Sequence, residues 1–236
     1  MPAETSCPAD LAANLASVRR RILTACDRAG RDPGSVTLVA VTKSVGVEAA
    51  LELARLGVED FGENRPDELS RKRSAFEAVG VRVRWHMIGH LQTNKLLRAL
   101  PRIDVLHSLD RTSLAQALTA ELSRSAGPRL PVLVQVNVSG EASKGGFGEI
   151  GLWDALAAVR AVGRLSIRGL MTMAPAAADP ESSRPVFRRL RELRDEAHAR
   201  GYLGGLDLSM GMSLDFEIAV EEGATLLRVG STLFSS

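Results

Sequence analysis

The chain has 236 residues, 45% of them hydrophobic and 25% charged, with a formal net charge of +2. That length and apolar content supply the core of one large α/β domain or two small ones. A near-neutral balance with two Trp, one Tyr and six Phe argues against a nucleic-acid groove, which interleaves basic residues with aromatics.

The basic clusters Arg71-Lys72-Arg73 and Arg188-Arg189-Leu190-Arg191 alternate with acids on helix-like stretches and read as solvated faces. Cys7 and Cys26 lack CxxC spacing, so neither a disulfide framework nor a zinc site is implied. No charged-then-apolar leader opens the chain and no apolar stretch approaches the length of a bilayer span. The expectation is a soluble, cytoplasmic protein without membrane contact.

In chain order, Leu11, Leu15, Val18 and Ile22 recur at three- and four-residue spacing after a cap at Asp10 and before Gly30, which predicts an N-terminal helix over 8–30. Short apolar runs then centre near Leu38, Phe61, Met87, Leu106, Val134, Leu170, Leu208 and Leu227, separated by helical patterns; only the tail Ser231 to Ser236 follows the last. Eight strand-helix units imply parallel pairing and the number that closes a barrel. The predicted fold is an α/β single (β/α)8 TIM barrel over 1–236 with the additional N-terminal helix packed on it. An open doubly wound sheet is the alternative, disfavoured because no glycine fingerprint directly follows the first strand.

In such a barrel the carboxyl ends of the strands share one face, and chemistry sits there. They carry Lys43; Gly62-Glu63-Asn64; the stretch His86 to Gln92; Asn137; Ser209-Met210-Gly211-Met212-Ser213; and Arg228-Val229-Gly230-Ser231. A lysine at the mouth of a buried strand is partly desolvated and can condense with an aldehyde, or it snorkels into solvent. Small, amide-rich turns after the last two strands are where barrels commonly hold phosphate, a role that fits Ser213 and Gly230-Ser231. Ser213 fits an ordinary helix cap equally well, since Leu214 to Glu222 looks helical and Asp215 and Glu217 add negative charge. Arg228 needs an acceptor, either a carboxylate or a ligand. Aldehyde-reactive lysine, phosphate turn and arginine donor together match pyridoxal 5′-phosphate. An arginine at the ring nitrogen leaves that nitrogen unprotonated and weakens the ring as an electron sink.

The segments Ala40-Val41-Thr42-Lys43, Phe61-Gly62-Glu63-Asn64, Trp85-His86-Met87-Ile88-Gly89-His90-Leu91-Gln92-Thr93-Asn94-Lys95, Ser209-Met210-Gly211-Met212-Ser213 and Arg228-Val229-Gly230 resemble the pyridoxal phosphate homeostasis proteins, in order and nearly end to end. The resemblance implies a barrel like the N-terminal domain of alanine racemases that binds pyridoxal phosphate covalently, without established turnover. It implies Lys43 as the Schiff-base lysine, Asn64 beside the ring, Arg228 at the ring nitrogen, Ser213, Gly230 and Ser231 on the phosphate, and His86 and Met210 lining the pocket. Family members commonly end with Gly after the Phe that follows the phosphate turn, whereas this chain reads Leu233-Phe234-Ser235-Ser236. Pro66 also departs from the family, and it suits the first turn of a helix.

Other patterns lead elsewhere. Gly146-Phe147-Gly148-Glu149-Ile150-Gly151 matches the dinucleotide GxGxxG, yet Val138 to Gly145 separates it from its strand and no acid follows at the required distance. His86 and His90 have a metal spacing only on a helix, and they straddle Gly89 at a strand end, so no metal is expected. The rival function is a fold-type-III racemase, which needs a second acid/base opposite the lysine. The sole tyrosine, Tyr202, precedes the seventh strand, and the chain stops at Ser236 soon after the eighth, so a monomeric carrier in transient contact with pyridoxal phosphate-dependent enzymes is the expectation. Lys144, in the glycine-rich loop Ser139 to Gly146, is a solvated loop residue or a secondary aldehyde acceptor.

Overall fold

The computed structural model describes residues 8–124, 126–141, 144–161, 163–175 and 177–235. Cys7, Ser236 and positions 142 and 143 of the Lys144 loop lie outside the described residues.

The strands β1 (Thr37–Val41), β2 (Asp60–Glu63), β3 (Arg84–Met87), β4 (Val105–Leu109), β5 (Leu130–Gln135), β6 (Leu165–Met171), β7 (Asp207–Ser209) and β8 (Leu226–Val229) form a closed parallel barrel in chain order. Each predicted strand centre falls inside one of them. The ring closes through Thr37↔Leu226 to Ala40↔Val229 between β1 and β8, which leaves no edge and eliminates the open-sheet alternative. The helices are α1 (Pro8–Ala29), α2 (Val47–Arg55), α3 (Pro66–Ala78), α4 (Leu96–Ala99), α5 (Thr112–Leu122), α6 (Glu149–Ala161), α7 (Arg184–Ala199), α8 (Phe216–Glu221) and α9 (Ser231–Phe234).

Alternation along each strand builds two cores. On β1, Ala40 joins the large apolar layer beneath the helices, while its neighbour Val39 joins Leu133, Met171 and Leu226 in a separate apolar cluster. On the β2–β3 side, Phe61, Phe76 and Trp85 pack with ring centroids 5.4, 5.7 and 5.2 Å apart, seating α3 on the wall of the barrel.

The sequence expectation shifts at three places. The helix α1 starts upstream of Asp10, which lies in its first turn, where its charge suits the positive end of the helix; Gly30, at φ 61°, ends it as predicted. After β8 the tail forms the helical turn α9, and α1 covers it. Asn14 Nδ2 donates to the carbonyls of Leu233 (3.2 Å) and Ser235 (2.8 Å), and Arg21 grips Glu217 of α8 with bonds of 3.1 and 2.7 Å. Finally, Lys72 is not on a solvated face but 1% exposed. Pro66 opens α3 as expected. Among the described residues, no helix is long and apolar enough to cross a membrane.

Candidate functional site

At the carboxyl ends of the strands lies a cavity of about 610 Å³. Its lining combines Val41 at the end of β1 and Lys43 beyond it, Asn64 after β2, Ile88 to His90 after β3, Met212 to Asp215 after β7, and Arg228, Gly230 and Ser231 at β8. Lys43, Asn64, Ser213, Arg228, Gly230 and Ser231 are thus brought together as predicted. His86 and Met210 are not. His86 lies one layer deeper, 1% exposed inside the barrel and hydrogen-bonded to Asp60 and His107. Met210 is fully buried in the large apolar core and does not line the cavity. A strand end names a neighbourhood, but side-chain alternation decides which residue faces the mouth.

Lys43 is exposed at the mouth of the cavity rather than buried at the strand end. What the fold supplies is a rigid base. The preceding residue, Thr42, donates its hydroxyl to Glu63 Oε1 (2.6 Å), while Lys72 Nζ donates to both Thr42 O and Glu63 Oε1 (2.5 Å each). This buried cluster bolts the end of β1 to β2 and α3. Glu63 Oε2 is buried without a hydrogen-bond partner among the described residues. From the sequence, Glu63 stands only as part of the Gly62-Glu63-Asn64 strand end and Lys72 only as part of a solvated basic cluster, neither with this role. The signal was the spacing Leu69-Lys72-Phe76, which places the lysine on the buried face of α3.

Asn64 sits where the chain after β3 crosses it. A Cβ on Gly89 would lie 2.2 Å from the Asn64 carbonyl oxygen, so only glycine permits that approach.

The turns after β7 and β8 meet at Ser213. Its Oγ accepts from the backbone N–H groups of Gly230 (3.2 Å) and Thr232 (3.4 Å), and Thr232 Oγ1 donates to the Ser213 carbonyl (3.3 Å). The Ser213 proton has no acceptor among the described residues. The alternative of a helix cap is not realised: α8 starts at Phe216, and Asp215 rather than Ser213 precedes it. The Asp215 carboxylate is occupied by the Met212 N–H (2.7 Å) and the Ser183 hydroxyl (3.0 Å). Glu217 faces Arg21 instead of the cavity. Gly211 makes this turn possible, with φ at 89° and Ala219 Cβ 2.5 Å from where its own Cβ would be.

Arg228 is 5% exposed and, among the described residues, has no carboxylate partner within salt-bridge distance. It donates from Nη1 to Ser209 Oγ (2.5 Å) and from Nη2 to Thr172 O (2.9 Å). Burial brings its pKa down to about 10 against the opposing charge of Asp215, which leaves a cation at neutral pH. A buried guanidinium with only neutral acceptors has donors to spare for an acceptor atom in the cavity. Burial, then His86 and Arg228, push the His107 imidazole well below its usual range, so it is neutral.

His90 lines the mouth and bonds Asp110 at 2.7 Å, while Arg111 holds the other carboxylate oxygen at 2.6 Å. Asn137 stays out of the lining. It organises its own loop through the carbonyls of Glu141 (2.9 Å) and Lys144 (3.1 Å). Lys144 Nζ is held by Met173 O and Glu141 Oε2, both at 3.3 Å. The described residues contain no cluster of three or more His, Cys, Asp or Glu side chains able to hold a metal ion.

The donor set fits a ligand that carries a carbonyl, an anionic group and an acceptor nitrogen. Lys43 supplies an amine, the Ser213–Gly230 turn supplies anion donors, and Arg228 supplies buried N–H groups. Residues 13–236 match the family model described as alanine racemase, N-terminal domain. A pyridoxal phosphate homeostasis protein of Aquifex aeolicus is 40% identical over 220 residues, covering 93% of this chain and 95% of that protein. One from Pseudomonas aeruginosa is 41% identical over 228 residues, covering 96% and 95%. The structure of PipY from Synechococcus elongatus, solved with PLP bound, superposes with a TM-score of 0.83 at 32% identity, covering 95% of this chain and 100% of that one.

Proposed function

The chain belongs to the pyridoxal phosphate homeostasis proteins, and from that premise we propose that it holds pyridoxal 5′-phosphate in the mouth of its barrel and supplies it to other proteins without turning over a substrate. The observation that carries the reading is the convergence of Lys43, Arg228 and the Ser213–Gly230 turn on one cavity.

When bound, the cofactor supplies an aldehyde open to reversible capture by an amine and a ring that withdraws electrons when its nitrogen is protonated. Lys43 is the capturing amine, presented on the base that Thr42, Glu63 and Lys72 fix. Its exposure keeps it open to exchange with competing amines, which suits a carrier. Ser213, Gly230 and Ser231 hold the phosphate through hydroxyl and backbone donors. Arg228 would donate to the ring nitrogen, and because a guanidinium keeps its proton, it would leave that nitrogen a bare acceptor. Asn64, which the chain crosses at Gly89, would lie beside the ring. Met212 and Leu214, 37% and 70% exposed at the rim, are the natural contact for a protein that takes the cofactor away.

The racemase alternative calls for a second proton carrier opposite Lys43, and the tyrosine that would supply it is not in the cavity lining. Tyr202, the one tyrosine of the chain, packs on Trp153 with centroids 6.4 Å apart, ahead of β7 at the opposite end of the barrel. The deciding assay is α-proton exchange into heavy water for L- and D-amino acids with the cofactor-loaded protein, Lys43→Ala serving as the blank. The expected rate is far below the usual enzymatic range of about one per second or more. Rapid exchange that depends on Lys43 overturns the carrier reading.

A further inference from the structure

Polar groups inside the barrel form an unbroken path away from the cavity. Arg228 Nη1 donates to Ser209 Oγ at 2.5 Å, and Ser209 Oγ lies 2.8 Å from His107 Nδ1. His107 Nε2 lies 2.7 Å from His86 Nδ1, and His86 Nε2 lies 2.8 Å from Asp60 Oδ1. All five residues are buried, none more than 6% exposed. At the far end Asp60 pairs with the exposed Arg84 at 3.1 Å, beside a cavity of about 590 Å³ that Arg84 and His86 line at the amino-terminal mouth. The path crosses the barrel through β8, β7, β4, β3 and β2.

Donor and acceptor chemistry gives the path a direction. A guanidinium only donates and a carboxylate only accepts. With Arg228 at one end and Asp60 at the other, one assignment finds an acceptor for every proton. Ser209 O–H donates to His107 Nδ1, His107 Nε2–H donates to His86 Nδ1, and His86 Nε2–H donates to Asp60. The opposite polarity requires His86 to be an imidazolium. It also makes Ser209 Oγ accept from both Arg228 and His107, which strands the serine proton in a buried site, a costly arrangement.

We propose that Ser209, His107, His86 and Asp60 are positioning residues for Arg228: a one-way hydrogen-bond relay, anchored on the Asp60–Arg84 pair, that fixes both imidazoles as Nε2–H tautomers and holds the guanidinium facing the cavity. The function of the relay rests on the proposed role of Arg228 toward the ring nitrogen; the relay itself is a property of the protein alone. The neutrality of His107 agrees with it.

The first test needs no cofactor. Long-range ¹⁵N–¹H spectra of ¹⁵N-histidine-labelled protein at neutral pH should show Nε2 protonated and Nδ1 bare for both His86 and His107. A proton on Nδ1 of either ring, or double protonation of either, overturns the relay. The second test acts from its remote end. Asp60→Leu removes the terminal acceptor, and Asp60→Asn keeps an acceptor oxygen. Asp60→Leu should weaken pyridoxal phosphate binding about tenfold and shift the visible band of the bound cofactor, while borohydride still traps the Lys43 adduct; Asp60→Asn should restore the parent band. Parent-like affinity and spectrum in a folded Asp60→Leu protein overturn the positioning role. Should Asp60→Leu fail to fold, the tautomer spectra of the parent decide alone. Absence of any trapped adduct in the parent refutes the cofactor reading and leaves the tautomer assignment standing.

Discussion

Replacing Lys72 by methionine removes a charge and keeps an unbranched chain of similar size, so the perturbation is electrostatic. Lys72 and Glu63 are 1% and 0% exposed and lie 2.5 Å apart. After the substitution Glu63 keeps the Thr42 hydroxyl as a donor, while among the described residues its Oε2 already has no partner and its carboxylate is left buried with no counter-charge. Thr42 O keeps only the longer bond from Val45 N–H, at 3.1 Å. Breaking a buried pair on one side costs about 3–5 kcal/mol, a large part of the about 5–15 kcal/mol that holds a typical protein folded. At roughly 2–4 °C per kcal/mol for a chain of this size, Tm should fall by roughly 6–20 °C. The double variant Glu63→Leu/Lys72→Met removes both charges and should recover most of that loss, because an apolar replacement of a buried pair is often close to neutral. Urea denaturation of the two single variants, the double variant and the parent closes the cycle. A Lys72→Met protein within about 1 kcal/mol of the parent, or a double variant whose loss equals the sum of the singles, refutes the reasoning. In the folded variant, capture of pyridoxal phosphate should also be slower, since Lys72 holds the carbonyl next to Lys43.

Lys43→Ala should melt with the parent, because the side chain is exposed, and should be colourless; intact mass after borohydride reduction checks it, and a parent-level adduct on the variant rejects Lys43 as the capturing amine. Pyridoxal should bind on the order of 100-fold more weakly than its phosphate, as two charge-assisted hydrogen bonds of about 1.5 kcal/mol each would give; equal dissociation constants by fluorescence titration remove Ser213 and Gly230 from the phosphate role. Glu222 is buried among Arg184, Arg188 and Arg191. Although burial pushes its carboxyl up, hydrogen bonds from Arg188 and Arg184 outweigh that and hold it below the usual range. A depressed folded value stabilises above the unfolded carboxylate value of about 4.3 and is lost as pH falls through the folded one. The Tm gap between the parent and Glu222→Gln should therefore be full at pH 7 and narrow below about pH 4; a gap independent of pH contradicts the pairing.

The barrel was legible because its evidence is local. Period-2 and period-3.6 apolar patterns report backbone geometry over a few residues, and eight alternations leave few topologies open. Lys43, Arg228 and the Ser213 and Gly230 turns were legible for a related reason: parallel strands put their carboxyl ends on one face, so residues far apart in sequence share a mouth. His86 and Met210 were misplaced because a position near a strand end does not say which way, or how deep, its side chain points. Lys72 looked like part of a charged surface, although its spacing with Leu69 and Phe76 marked the buried face of α3. Its partner Glu63 comes from β2, and their contact follows from how α3 docks on the wall. The relay from Arg228 to Asp60 draws one residue from each of five strands. Those groups meet because the ring closes in one register, and closure depends on long-range pairing and packing that no local window of sequence contains.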